Sequence, residues 1–565
     1  MPSGPERAEM SRTGASAKVA PEVAEVNSGS TLRGSASDGN KFRSYRSLFD
    51  SFVPDARGRV SRFEILTRLR KAGIQPDDPR IQATWAALDA SGREDSHLDF
   101  DTFVGICRRN SGVVSRAITG ELIIPDFPAF IDDITDIYTS LLTERGGTVA
   151  DYIPQLGRVN PDQLAISVCT VDGQRFSIGD STVNFCVQSV CKPINYCLAL
   201  EEHGVEAVHH HVGCEPSGVR FNELSLNEKG LPHNPMINSG AIMCSSLIQP
   251  QSHMADRFDF VAGVWKMLAA GGRIGFNNAV YLSERESADR NFALGYFMRE
   301  NGAFPEGSNL VQTLEFYFQC CSIEIDAESL AIVAGSLASG GVSPLTESRI
   351  FSADNVQKCL TLMSSCGMYD YSGEFAFKIG LPAKSGVSGA LMIVIPQAAG
   401  IAVWSPRLDA LGNSVRGIEF SRKLTEKYNF HMYDSLVSGN DTGKRDPRFR
   451  KNQASVDGTY RLCWAASQGD LDDVRGAVAS GVDPRAADYD GRTALHLAAS
   501  EGQTEVVRYL LQKGASPVAR DRWGGTPASD AQRGGHMEVA SLLERAERES
   551  GELAPAGNLS KARPA

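Results

Sequence analysis

The chain has 565 residues, 42% hydrophobic and 22% charged, with a formal net charge of −11. This is the composition of an ordinary soluble globular protein long enough for three or four domains, and its acidic balance excludes broad nucleic-acid binding, which needs basic patches. No run approaches the ~18 apolar residues of a membrane span, and the 12 cysteines are scattered without a C-x-x-C, the pattern of reduced thiols in a reducing compartment.

Residues 1–40 are rich in Ser, Gly, Ala and charge and lack the apolar stretch of a secretory signal, so they are expected to be a disordered tail. From 41 to 119 the pattern is helical and amphipathic. Two helix–loop–helix units are spaced like EF-hands, but the loops lack calcium chemistry. With Gly58 at the sharp turn, the first ligand position is Val53 and the fifth is Arg57, leaving Asp55 and Glu64. The second loop offers Asp89, Ser91 and Arg93 without a glycine at its sixth place. A metal-free, EF-hand-like helical domain is expected.

Residues 125–434 read as one α/β domain. Leu164–Val171 is an apolar run ending in Asp172-Gly173, a strand and hairpin turn returning through Gln174–Ile178. Near the far end Ala390–Ile395 and Gly400–Trp404 form a second hairpin around Pro396-Gln397. Helical segments lie between, so one sheet with helices packed on it is expected. Residues 435–457 are a linker. From 458 to 548 the chain repeats with a period of 33: Ala465 with Ala498, Gly469 with Gly502 and Gly535, Thr493 with Thr526. Thr493-Ala-Leu-His496-Leu-Ala498 resembles the ankyrin signature. Such a stack binds by its surface, which implies a protein partner of unknown identity. Residues 549–565 read as a second disordered tail.

The chemistry concentrates at Phe185–Tyr196, which contains Ser189 and Lys192 as Ser-x-x-Lys. On a helix, residues three apart share a face, and an amine whose pKa is lowered by burial can take a serine's proton. Pro193 is best tolerated in a helix's first turn, which places Ser189 near a helix start, where free N–H groups favour an oxyanion. The pair alone is weak evidence, since about two such matches arise by chance in a chain of this size. Three further stretches add to it. Lys384-Ser385-Gly386-Val387 is similar to the Lys-Thr-Gly element that accompanies Ser-x-x-Lys in penicillin-binding proteins and serine β-lactamases, where it lines the site with a cation and a backbone N–H on an edge strand. Tyr369, in a Gly-flanked turn, can relay a proton. Ser283–Asn291 is a dense polar run.

Together with Ala150-Asp-Tyr152-Ile-Pro-Gln-Leu, Glu215-Pro-Ser-Gly, Pro232-His-Asn-Pro-Met-Ile-Asn238, Phe304-Pro-Glu-Gly and Cys366-Gly-Met-Tyr369, these stretches closely resemble the glutaminase family, in particular the animal phosphate-activated glutaminases. The resemblance implies a β-lactamase-like α/β core between the EF-hand-like domain and the all-α ankyrin repeats. It implies hydrolysis of L-glutamine to L-glutamate and ammonia, with no cofactor and with inorganic phosphate as a possible activator. Ser189 would be the nucleophile, Lys192 its base and Tyr369 the proton relay. The backbone N–H groups of Ser189 and Val387 would bind the oxyanion. Glu284, Asn291, Asn238, Tyr317 and Tyr152 would hold the amino-acid end of the substrate. Self-association as a homotetramer or higher assembly is also implied. Phe297 departs from the family's usual tyrosine, and the following segment, Met298–Phe304, is only loosely similar. His209, His210, His211 and Cys214 lack the paired spacing of a structural metal site and read as a polar helix end. The alternative class is a non-catalytic scaffold, but a scaffold has no need of Ser189, Lys192 and Tyr369 together. A cytoplasmic location is expected, with mitochondria as the alternative.

Overall fold

The computed structural model describes residues 45–46, 48–50, 52, 54–82, 97–109, 112–218, 223–436, 443–448, 453–479 and 482–552. The expected N-terminal tail, most of the second EF-hand-like loop and the end of the C-terminal tail lie outside the described residues. Residues up to 51 form a unit separate from 52–565. Within it Arg46 pairs with Asp50 and lies over Phe49.

In the larger unit the first loop leads through β1 (Val60–Ser61) into α1 (Arg62–Lys71). The second leads through β2 (His97–Leu98) into α2 (Phe100–Arg109) and α3 (Val113–Thr119). β1 and β2 pair antiparallel. Asp55, the acidic residue left in the first loop, has both carboxylate oxygens occupied. They accept from the Arg57 and Arg59 backbone N–H groups and from the Arg59 guanidinium, and hydrogen bonding to Arg59 holds the carboxyl at about 2.

The α/β domain begins with α4 (Phe127–Leu141), capped by Asp126 with a proline in its first turn. β3 (Ala165–Thr170) and β4 (Arg175–Gly179) form the first hairpin. The short β5 (Phe185–Cys186) leads to α5 (Cys191–His209), which bends at Gly204. A helical block follows: α6 (Asn238–Leu247), α7 (Met254–Leu268), β6 (Ile274–Phe276), α8 (Asn278–Glu286), α9 (Asp289–Glu300), α10 (Leu310–Cys321), β7 (Ile323–Ile325), α11 (Ala327–Ala338) and α12 (Ala353–Cys366). The chain then returns to the sheet as β8 (Ala383–Ser385), β9 (Ala390–Ile395) and β10 (Ala399–Trp404), and closes with α13 (Val415–Lys427).

The main sheet has five antiparallel strands in the order β4-β3-β10-β9-β8. Both faces are buried, so its strands read as continuous apolar runs while their side chains still alternate. Ala390, Met392 and Val394 join the core under the helical block. Leu391, Ile393 and Ile395 join a second core with Ile134, Phe420 and Leu424 from α4 and α13. α11 lies directly on β10. A Cβ at Gly400 would stand 2.0 Å from the Gly335 backbone N, so only glycine permits this approach. A second sheet, β5-β7-β6, corrects the expectation of one sheet. Its strands are two or three residues long, too short to show a period.

The helical N-terminal domain is fastened to the β3–β4 hairpin. Gly73 O accepts from Arg175 N at 2.8 Å, Gln174 Nε2 donates to Ala72 O and Ile124 O, and Arg175 pairs with Asp77 at 2.6 Å. The C-terminal repeats comprise α14 (Gln453–Gln468), α15 (Leu471–Ala479), α16 (Ala494–Ser500), α17 (Thr504–Gln512), α18 (Pro527–Arg533) and α19 (Met537–Glu552) around one core. Thr493 and Thr526 cap α16 and α18 at equivalent places. Two expected borders move: α14 starts inside the region read as linker, and α19 continues past 548 into the region read as tail.

Candidate active site

The small sheet sets the start of the site. Val187 N donates to Ile323 O at 2.8 Å, and Val190 N donates back to Val187 O at 2.9 Å, closing a single 3-10 turn, Gln188–Val190, that runs into α5. Gln188 holds φ +48°, a left-handed conformation that costs a non-glycine residue free energy and clusters at functional sites. Ser189 therefore lies at the N-terminal end of α5. Pro193, third in the helix, needs no N–H there.

Lys192 Nζ donates to Ser189 Oγ at 2.7 Å and to Asn238 Oδ1 at 2.9 Å. The lysine is 1% exposed, and burial lowers its pKa from the usual lysine value. Asn238, first in α6, passes the network on: its Nδ2 donates to Asn291 Oδ1 at 3.1 Å, and Tyr317 OH reaches Asn238 Oδ1 at 3.4 Å. Glu284 on α8 is buried, and burial raises its pKa above the usual carboxyl value. It accepts from Tyr152 OH at 2.5 Å and from Gln188 Nε2 at 2.9 Å. The Tyr152 ring is half exposed, but its hydroxyl is held inward on Glu284.

Tyr369 comes from the other side, in the turn after α12, again left-handed with φ +53°. Its hydroxyl is buried, Ser189 lies close enough to act on it electrostatically, and burial pushes its pKa above the usual phenol value. Ser372 Oγ holds the turn, donating to Tyr369 O at 2.7 Å and accepting from Met368 N at 2.9 Å. A cavity of about 560 Å³ opens on Tyr369 and is lined by Asn234, Met236, Ile237 and Cys366 among others.

Val387 occupies a central position of the β8–β9 turn. That turn is closed by Gly389 N to Gly386 O at 3.0 Å, which leaves the Val387 N–H unused by the turn. A Cβ on Gly386 would stand 2.9 Å from Val187 O, so this turn abuts the one carrying Ser189.

The catalytic and substrate-binding candidates thus fall in one place: Ser189, Lys192, Asn238, Asn291, Tyr317, Glu284 and Tyr152 through hydrogen bonds, Tyr369 through its nearness to Ser189, and Val387 through the adjacent turn. Lys384 differs from its expected role as a cation lining the site. Its amine turns back to donate to Gly367 O at 3.0 Å and Ser385 O at 2.8 Å, and it lies 4.6 Å from the Tyr369 ring centroid. It braces the tyrosine turn. Gln188 was missed. Its signal was adjacency to Ser189, but nothing in a glutamine announces a left-handed backbone or a partner 96 residues away. The histidines have structural partners. His209 sits between Tyr196 OH and Val212 O, and His211 contacts Ala303 O. Among the described residues no group of three or more His, Cys, Asp or Glu is placed to hold a metal, and no helix is long and apolar enough to cross a membrane.

The arrangement offers a serine hydroxyl against a buried amine, a buried tyrosine hydroxyl beside them, and a buried carboxylate for one positive charge. The family profile described as Glutaminase matches residues 147–433, ankyrin repeats match 433–549, and an EF-hand domain matches 46–125. The chain is 46% identical to putative glutaminase 3 of Caenorhabditis elegans, over 78% of this chain and 77% of that protein. It is 42% identical to the mitochondrial glutaminase liver isoform of Rattus norvegicus, over 77% and 73%. The solved structure of a probable glutaminase, ybaS, superposes with a TM-score of 0.51 at 34% identity, covering 53% of this chain and 97% of that one. The chain belongs to the glutaminase family, hydrolases acting on the side-chain amide of L-glutamine, with a β-lactamase-like catalytic domain between an EF-hand domain and ankyrin repeats.

Proposed function

We propose that the chain hydrolyses L-glutamine through an acyl-enzyme on Ser189. The observation that carries this is Lys192 Nζ, buried and 2.7 Å from Ser189 Oγ. Burial favours the neutral amine, which takes the Ser189 proton as Oγ adds to the side-chain amide carbon. The tetrahedral oxyanion lies between the N–H groups of Ser189 and Val387, an arrangement of a kind that contributes a few kcal/mol, on the order of 10²–10³ in rate. Tyr369 gives its proton to the departing nitrogen, which leaves as ammonia, and recovers one through the Ser189–Lys192 pair. A water, deprotonated by the same groups, then attacks the ester. L-Glutamate leaves and Ser189 regains its proton.

Glu284 holds the substrate α-ammonium, and Tyr152, Asn238, Asn291 and Tyr317 supply neutral hydrogen-bonding groups for the rest of the amino-acid end. An amide without that end leaves the carboxylate buried and unpaired, which is how such a site rejects it. The reaction uses no cofactor. A homotetramer, a protein partner for the ankyrin repeats and a cytoplasmic location belong to the same proposal. The mitochondrial name of the rat relative makes that compartment the alternative, which cell fractionation decides.

The test is ammonia release from L-glutamine by the purified full chain, with and without inorganic phosphate, beside Ser189→Ala. Turnover by the wild type and none by the variant is expected. Absence of turnover in folded, assembled protein under both conditions refutes the mechanism and leaves a scaffold.

A further inference from the structure

Against the β8–β9 turn lies a separate small cavity of about 120 Å³. It is walled by Val387 and Ser388 from that turn, Cys186 and Phe185 from β5, Glu324 from β7, and Gln155. Its polar side chains are the Glu324 carboxylate, the Ser388 hydroxyl and the amides of Gln155, Asn184 and Asn277. Ser388 is 6% exposed, and its buried Oγ has no hydrogen-bond partner; the buried Gln155 Oε1 has none either. Glu324 gives Oε1 to Asn277 Nδ2 at 2.8 Å and forms no ion pair among the described residues. Asn277 Oδ1 is taken by Val280 N. No Lys, Arg or His lines the space. The charge beyond its wall is also negative, since Glu284 acts with Glu324 on the Cys186 thiol.

Two buried oxygens without donors are costly to leave unmet, and beside them stands the partly exposed Glu324 carboxylate, so a cation completes all three. One carboxylate balances one unit of charge, whereas calcium or magnesium takes several carboxylates or a retained water shell. Neutral oxygens replace the hydration shell of a large, weakly hydrated monovalent ion. The stacked rings of Phe185 and Trp404, 5.2 Å apart on the same wall, suit such an ion as well. We propose that this cavity binds a single monovalent cation of ammonium or potassium size, held by Glu324, Gln155 Oε1 and Ser388 Oγ. Val387 is common to this cavity and the proposed oxyanion site, so an ion here steadies the turn that presents the Val387 N–H. Ammonium is also the nitrogen product of the proposed reaction at neutral pH. The site stands on geometry independent of the acyl-enzyme mechanism, and its test reads binding without turnover.

Crystals of the full chain soaked in rubidium chloride should show an anomalous peak bounded by Glu324, Gln155 and Ser388. In solution the thermal midpoint should rise with potassium, rubidium and ammonium chlorides, but not with lithium or choline chloride at equal ionic strength. Glu324→Gln keeps the acceptor for Asn277 and removes the charge; it should raise the half-saturating concentration about tenfold or more, and Ser388→Ala should do the same to a smaller degree. Rubidium absent from the cavity, with water alone there, overturns the proposal. So does an equal response to all the chlorides, or a response unchanged in both variants.

Discussion

Replacing Gln188 by leucine removes one of the two donors that Glu284 has within the protein, leaving Tyr152 OH. Both partners are buried, Gln188 at 4% and Glu284 at 8% exposure, so water does not restore the bond. A hydrogen bond to a charged group is worth about 1.5–3 kcal/mol, or about 1–2 pKa units. The carboxyl, already raised by burial, moves further up. The KM for L-glutamine should therefore rise about 10–150-fold near neutral pH, with kcat changed much less. The acid limb of kcat/KM should move up by about 1–2 units. Steady-state kinetics across pH on wild type, Gln188→Leu and Gln188→Gly check this. Gln188→Gly should show the same KM effect, and should be destabilised less than Gln188→Leu, by about 1 kcal/mol, because glycine accepts φ +48° without the left-handed cost. A large fall in kcat with KM and the acid limb unmoved refutes the reasoning; Gln188 would then act on the placement of Ser189 and not through Glu284.

Lys384→Met removes an amine that holds Gly367 O and Ser385 O beneath the Tyr369 ring, and kcat should fall about 100-fold, the scale of a mispositioned reacting group, while circular dichroism shows a folded protein. On the acid side, activity is lost as Lys192 gains a proton, at a pH below the usual lysine value, and as Glu284 gains one, above the usual carboxyl value. The limb of log kcat/KM should steepen from slope one towards two as pH falls, and Glu284→Gln should return it to one throughout. Gly400→Ala forces a methyl to 2.0 Å from Gly335 N. It should cost about 3 kcal/mol or more, measured by urea denaturation, even though alanine is ordinarily tolerated in a strand.

The main sheet was legible because both hairpins have long apolar runs and turn residues between them. The two- and three-residue strands of the second sheet carry no such pattern, and their pairing of Phe185 with Ile325 and Ile274 with Ile325 depends on tertiary packing. In the site, Ser189 and Lys192 were readable because three residues make nearly one helical turn. Glu284 was placed by family resemblance, since Ser283–Asn291 reads locally as a solvated run; the structure divides it between α8 and α9 and buries the carboxylate. Lys384 was found by its motif but given the wrong direction, because a sequence records which residues occur and not which carbonyls compete for an ammonium.

The order of strands in the sheet also sets when the protein can become active during synthesis. β3 pairs with β10, Thr170 opposite Ala399, so the centre of the sheet closes only after about 230 more residues have been made, roughly 10–45 s at typical elongation rates. Until then a nascent chain carries Ser189 and Lys192 on an early helix while Tyr369, the Val387 turn and half the sheet are still to come. Ser189 is thus present for long stretches of translation without Tyr369 or the Val387 turn. Activity arrives late and all at once, when the last strand slots between β3, made long before it, and β9, made immediately before it.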